Sequence, residues 1–236
     1  MQKGPDRAYI QSLFAAVAPT YDVLNSIISF GLHRFWKKRA VKMAAVPRNG
    51  RAVDVCSGTG DLAELLADCV GPNGLVVGVD FCQAMLERAV KRIRPKHRQI
   101  RYTVLGDALS LPFADNSFDA ATVAFGLRNV ENMEIALREM ARVVRPGGRV
   151  VCLDLSRPTN PLLSKVYFFY FRNLLPRIGG LVHGVVENYA YLPASLDRFP
   201  SLEEIKSMMV SAGIKDVKAY PLSGGIVAIH CGVVAS

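Results

Sequence analysis

The stretch Ala52-Val53-Asp54-Val55-Cys56-Ser57-Gly58-Thr59-Gly60-Asp61 decides the fold. Val53 and Val55 are β-branched and suit a buried strand. Gly58 and Gly60 permit a sharp turn and the close approach of a ligand. Leu62, Leu65 and Leu66 then recur at helical spacing. A strand, a glycine turn and a helix N-terminus in succession make a site for a nucleotide-like ligand.

The same rhythm continues downstream. Strand 51–56 leads to a helix ending near Cys69, and Gly71-Pro72-Asn73-Gly74 forms a turn. Strands follow at Leu75 to Asp80, Ile100 to Leu105, Phe118 to Ala124 and Arg149 to Leu155. Helices lie over Ala84 to Val90 and Ile135 to Val144, the second stopped by Pro146-Gly147-Gly148. This β-α alternation predicts an α/β fold, a doubly wound and mostly parallel sheet with right-handed crossovers. A helix over Glu203 to Ala212 precedes strands at Val217 to Tyr220 and Ile226 to Val233. Ser223-Gly224-Gly225 between them predicts an antiparallel C-terminal hairpin at the sheet edge.

The chain reads as one domain of 236 residues in four parts. Residues 1–45 form a helical cap, 46–156 the ligand-binding core, 157–200 a helical and aromatic insertion, and 201–236 the closing helix and strands. In the cap, Phe14, Val17 and Ala18 share a helix face that Pro19 interrupts. From Tyr21 to Lys38 the cap is apolar and aromatic, with Tyr21, Asp22, Asn25, Ser29 and His33 embedded in it. It either packs its aromatics on the core or closes over a ligand as a lid.

Half of the residues are hydrophobic, and the formal net charge is +9. No run approaches about 18 consecutive apolar residues, and the first stretch is polar, so neither a membrane span nor a secretory signal is expected. The five cysteines are scattered, which fits reduced thiols in a cytoplasmic protein and no metal site. The cations are dispersed, without the basic run and interleaved aromatics of a nucleic-acid module. A solvated basic surface and attraction to an anionic membrane both remain open.

Gly58-Thr59-Gly60-Asp61-Leu62-Ala63 fits the dinucleotide pattern, and Asp80 lies at the distance of a ribose-binding acid. These features alone suit a nicotinamide enzyme. Asp54, just before the turn, adds an acid that can meet an ammonium, which NAD lacks. Asp107 and Ala108 end the third strand, where a carboxylate or adjacent amide can read an adenine edge. The helix N-terminus faces a carboxylate as readily as a phosphate. Ammonium, carboxylate, ribose and adenine together describe S-adenosyl-L-methionine. The cofactor residues read from these positions are Asp54, Gly58, Gly60, Asp80 and Asp107.

These residues resemble the class I S-adenosylmethionine-dependent methyltransferases. Tyr21-Asp22-x-x-Asn25-x-x-x-Ser29-x-Gly31-x-His33-Arg34-x-Trp36 resembles the N-terminal signature of the quinone C-methyltransferases, the UbiE/MenG family. Arg142-Val143-Val144-Arg145-Pro146-Gly147-Gly148 through Asp154-x-Ser156 is similar to a second signature, with Asp154 where glutamate is usual. Phe125-Gly126-Leu127-Arg128-Asn129-Val130 and Leu111-Pro112-Phe113 also match. Ala124 stands where some relatives have a cofactor-contacting serine, and the resemblance implies cofactor roles for Thr59, Asp80, Asp107 and Ala108. Tyr167 to Pro176 and Phe199-Pro200 are most similar to the demethylmenaquinone branch.

The resemblance implies C-methylation of a prenylated naphthoquinol, demethylmenaquinol to menaquinol, with the ubiquinone and phylloquinone branches as alternatives. By chemistry and position the catalytic candidates are His33, as general base or as a structural hydrogen bond in the cap, Arg128 and Asn129 after the fourth strand, with Arg128 able to stabilise a phenolate, and Tyr21, which with Asp22 binds a quinol hydroxyl or fixes the cap, or itself closes over the cofactor. Arg128 could equally form an ion pair with a cap carboxylate. The aromatic stretch 162–176, with Lys165, Arg172 and Arg177, either lines a groove for the tail, dips into a bilayer surface or packs in the core. Peripheral membrane contact and a homodimer stay open, and no nucleic-acid partner is expected.

Overall fold

The computed structural model describes residues 5–97, 100–158, 160–170, 173, 195–196 and 198–235. Its strands are β1 (Arg51–Val55), β2 (Leu75–Asp80), β3 (Ile100–Leu105), β4 (Phe118–Ala124), β5 (Val144–Leu155), β6 (Ile214–Leu222) and β7 (Val227–Val234). They form one sheet in the order β3-β2-β1-β4-β5-β7-β6. β1 to β5 pair in parallel. The order reverses between β1 and β4, which puts a topological switch point beside the glycine turn.

The C-terminal strands form the expected antiparallel hairpin at the sheet edge, with β7 on the inside and β6 outermost. β7 pairs antiparallel with β5 on one side and β6 on the other. β6 therefore runs parallel to β1–β5, and β7 lies inside the sheet. Composition explains the arrangement. Residues 227–230 of β7 are all buried, whereas β6 carries the exposed Lys215, Asp216 and Lys218 suited to an edge. A single turn of 3-10 helix, Ser223–Gly225, with Gly224 at φ 71°, makes the reversal.

Three helices precede the sheet: α1 (Arg7–Val17), α2 (Tyr21–Ile28) and α3 (Leu32–Ala44). Pro19 lies in a 3-10 turn between α1 and α2. α4 (Asp61–Val70), α5 (Gln83–Arg92) and α6 (Met133–Val143) connect strands, and α7 (Pro161–Phe169) and α8 (Leu202–Ser211) follow β5. α6 stops ahead of the Pro-Gly-Gly sequence, because Val144 already pairs with Phe118 in the sheet.

β5 divides the core. Val150 and Cys152 face the layer of Leu137, Met140, Ile205 and Met209 from α6 and α8. Val151 and Leu153 face Trp36, Ala40 and Ala44 of α3, together with Val227 and Ile229. The aromatics of α3 are thus divided. Trp36 is core, its indole N–H donating to Ser223 Oγ at 2.9 Å, while Phe35 faces solvent. α7 is divided likewise: Tyr167 is buried, Phe168 half-buried and Phe169 exposed. Of the aromatic stretch 162–176, residues 171–172 and 174–176 lie outside the described residues, as does Arg177. Among the described residues no single helix is long and apolar enough to cross a membrane.

Because β7 is interior, Ile229→Ala should lower unfolding stability by about 2–5 kcal/mol. A denaturant titration checks this; a loss well under 1 kcal/mol would place β7 outside the cooperative core.

Candidate functional site

The site forms where β1 and β4 leave the sheet. Each ends in a left-handed non-glycine residue, Cys56 at φ 54° and Phe125 at φ 59°. Such positions store strain and gather at functional sites. The two chains diverge there and open a cleft with two adjoining compartments of about 450 and 410 Å³, partly open to solvent. Cys56, Asp80, Phe81, Asn129 and Val130 line both. The first extends to Asp107, Ala108 and Arg7, and the second to Gly58, Tyr21 and Ala124.

Acids surround this cleft in different states. Asp80 is buried, and its two oxygens accept the N–H groups of Gly58 at 2.8 Å and Cys82 at 2.9 Å. Burial pushes its pKa up, against the pull of those hydrogen bonds. Gly58 at φ 55° and Gly60 at φ 84° turn the chain so that this N–H points at Asp80 and α4 begins at Asp61. Asp107 accepts the Leu109 N–H at 2.9 Å and pairs with Arg7 at 2.7 Å, which straps α1 beside the first compartment. Asp54 is more deeply buried and lines neither compartment. One oxygen accepts the Thr122 hydroxyl at 3.0 Å, and Oδ2 has no partner among the described residues. Burial, opposed by the Thr122 hydrogen bond, pushes its pKa up to about 7. Cys56 registers the combined field: burial, then Asp80, Asp54, Asp154 and Asp107, raise its thiol pKa. The cleft floor is set for a cation.

A charge network anchors the cap to the glycine turn. The Thr59 hydroxyl donates to Asp22 Oδ1 at 2.6 Å. Arg92 Nη1 donates to Asp22 Oδ2 at 2.7 Å and to Thr59 Oγ1 at 3.1 Å, while Nη2 donates to Asp61. Lys37, buried on the inner face of α3, reaches Asp61 Oδ2 at 2.9 Å. Burial would raise the Asp61 pKa, but Lys37 and Arg92 outweigh it and hold the carboxyl down at about 2. The side chain of Thr59 is thus engaged by the cap. Lys37, Asp61 and Arg92 escaped the sequence reading. The available signal was a lysine between the inward positions His33, Trp36 and Ala40.

The four expected catalytic residues separate into two pairs. Tyr21 packs edge-on against Phe14 at 6.1 Å and lines the second compartment. Asn129 lines both compartments and donates to the Phe125 carbonyl at 3.2 Å. His33 and Arg128 line neither. His33 Nδ1 lies 2.7 Å from Ser29 Oγ, and burial followed by Lys37 lowers its pKa. Arg128 is committed to Asp154: Nη1 donates to Oδ1 at 2.6 Å and the backbone N–H to Oδ2 at 3.2 Å. The expected cap carboxylate is corrected to Asp154, because the end of β5 lies against the Leu127–Asn129 turn. Arg128 also borders a wider groove with Phe199, Pro200 and Met208. Leu109, Val130 and Glu131 are shared with the first compartment.

Arg92→Ala should cost about 2 kcal/mol, a charged hydrogen-bond network left with unbalanced acids, and raise amide exchange across α2. Unchanged exchange in α2 would show that apolar contacts alone hold the cap.

A carboxylate with one free buried oxygen, a second fixed by two N–H groups, and a negative floor fit S-adenosylmethionine, which carries an ammonium, a sulfonium and a ribose diol. Comparisons agree. The model of the ubiE/COQ5 methyltransferase family matches residues 2–234. A demethylmenaquinone methyltransferase of Halalkalibacterium halodurans is 42% identical over 224 residues, 95% of this chain and 91% of that protein. One from Staphylococcus aureus is 42% identical over 227 residues, 96% of this chain and 93% of its own. Among solved structures, a SAM-dependent methyltransferase from Aquifex aeolicus has a TM-score of 0.61 at 18% identity, covering 86% of this chain and 92% of its own. A possible histamine N-methyltransferase from Thermotoga maritima has a TM-score of 0.65 at 22% identity, covering 95% and 99%. The structures establish a shared fold; the family match, spanning nearly every residue from cap to closing strand, establishes that this chain belongs to the ubiE/COQ5 methyltransferase family.

Proposed function

We propose that the protein methylates a ring carbon of demethylmenaquinol, giving menaquinol, with S-adenosylmethionine as donor. The observation that carries the substrate is the 42% identity to demethylmenaquinone methyltransferases over both signatures and the insertion. The wider groove beside the cofactor cleft supports it, offering Phe199, Pro200 and Met208 to a hydrocarbon tail. Such a tail places the substrate in a bilayer and the enzyme at its surface.

In this reading Asp80 grips the ribose, Asp107 and Ala108 border the adenine, Asp54 attracts the ammonium from behind the cleft lining, and the Gly58–Gly60 turn receives the carboxylate. The bound cofactor supplies a methyl group already activated on a sulfonium. The chain's task is then to orient a reduced ring, since only the quinol, ionised at one hydroxyl, carries negative charge on the adjacent carbon. Tyr21 and Asn129 line the cleft and orient that ring. Arg128 acts through Asp154 as a positioning residue that holds the turn bearing Asn129. His33, fixed by Ser29, positions the α2–α3 corner of the cap.

The deciding experiment offers labelled S-adenosylmethionine with chemically reduced demethylmenaquinone, its oxidised form and a benzoquinol precursor of ubiquinone. Label should enter the reduced naphthoquinol alone. Transfer restricted to the benzoquinol would overturn the substrate.

Asp54 also predicts a pH dependence. Its folded pKa, about 7, lies above the ordinary carboxylate value, so without ligand the carboxyl holds a proton below about pH 7. Its contribution to stability is present at low pH and is lost as pH rises toward about 7. An ammonium partner favours the ionised form, so S-adenosylhomocysteine should bind more tightly as pH rises from 6 to about 7, by at most about tenfold per unit, with a proton released on binding over that range, and then level off with none released. Calorimetry in buffers of different ionisation enthalpy measures this. The same slope in Asp54→Asn would remove Asp54 from the ammonium site.

A further inference from the structure

The outer face of α3 has chemistry opposite to that of the cleft. The helix contains no acidic residue, and its exposed cations are Arg34, Lys38, Arg39 and Lys42. None of the four forms an ion pair among the described residues, in contrast to the inward Lys37, which is spent on Asp61. Phe35 stands among them at 55% exposure. The chain turns through 95° between the segment Arg7–Ile28 and α3. At the apex of that turn Phe30, in the left-handed region at φ 50°, is 80% exposed.

A second segment arrives at the same corner. The Tyr170 ring lies 6.0 Å from that of Phe30, and its hydroxyl donates to the Ile28 carbonyl at 3.3 Å. The neighbouring Phe169, at the end of α7, is 61% exposed. Two stretches far apart in sequence therefore bring exposed aromatic rings to one projecting corner, and unpaired cations run back from it along α3.

We propose that this corner is a docking surface for an anionic phospholipid bilayer, with Phe30, Phe35 and Phe169 entering the headgroup boundary and the α3 cations lying over the phosphates. Charge complementarity carries the choice of occupant. A second copy of the chain would present the same unpaired cations and repel this face. An RNA would be drawn by the same cations, but Phe30 and Phe169 lie off the cationic helix rather than interleaved along it as base stacking on a strand requires. The proposal rests on the function above only for its purpose, access to a bilayer-resident quinol.

The test uses the full chain with phosphatidylcholine vesicles, with or without about one-third phosphatidylglycerol. Sedimentation is expected with the anionic vesicles and not the neutral ones. Phe30→Ser/Phe35→Ser and Lys38→Glu/Lys42→Glu should each weaken partitioning by at least about tenfold, while both variants keep cooperative unfolding and S-adenosylhomocysteine binding. Methyl transfer to a short-tailed, water-soluble quinol should be unchanged in them, and transfer to a long-tailed quinol in vesicles should fall. Folded variants that partition like the wild type would overturn the proposal. So would equal binding to neutral vesicles, a dimer that the phenylalanine variant dissociates, or salt-sensitive RNA binding in place of vesicle binding. If no quinol is methylated yet the variants lose vesicle binding, the substrate assignment fails and the docking surface stands.

Discussion

One arginine joins α2 of the cap to the glycine turn and to α4. Arg92, at the end of α5, places its guanidinium between Asp22 of the cap and Asp61 at the start of α4, and also reaches Thr59 in the glycine turn. Three elements with no mutual backbone pairing are joined through one rigid, multidentate donor, a task for which arginine's planar fork suits better than lysine's point charge. Lys37 supplies the second cation that Asp61 needs to stay ionised beneath the cap. With acids and cations both supplied, burial of these charges is compensated. Position follows from this. Tyr21 is adjacent to Asp22 in sequence, so fixing Asp22 also fixes where Tyr21 meets the cleft.

The cleft itself follows from the sheet. β1 and β4 are neighbours whose following connections leave in different directions, and both make a left-handed step at their ends. The loop after β4 is tied to the adjacent β5 by the Arg128–Asp154 pair and by the Phe125 N–H, which donates to the Leu153 carbonyl at 2.7 Å. That buried pair is where this chain departs from the usual glutamate of its second signature. The shorter carboxylate still meets the arginine through both its side chain and its backbone N–H. The pair also fixes the turn that carries Asn129.

Sequence patterns exposed the local half of this design. Apolar runs ending in glycine turns mark the strands, and the acids at their ends, Asp54, Asp80 and Asp107, stand at readable spacings. Pairing over long distances left no such trace. Arg92 is one of a dense series of cations between Arg88 and Arg101, and nothing in that series marks the one that turns inward. Thr59 lies in the motif, but whether its hydroxyl serves a ligand or the cap depends on Asp22, 37 residues earlier. β7 shows the same limit. A hairpin is legible from its turn, but which of its strands joins the sheet interior depends on burial of both faces.

Charge is segregated more sharply than the net value of +9 suggests. Four carboxylates act together on the half-buried Cys56 thiol at the cleft floor, while the cations stand outside along helices such as α3. A low-dielectric pocket strengthens the pull of those acids on a bound cation. The exposed cations are screened by salt over roughly 8–10 Å, so they act on surfaces in contact rather than on the cleft. One molecule can therefore hold a positively charged cofactor inside and face an anionic surface outside without either field cancelling the other. The same separation explains why the cap needs its own internal counter-ions. Standing between an acidic cleft and a basic face, it is held by Arg92 and Lys37, the cations that turn inward.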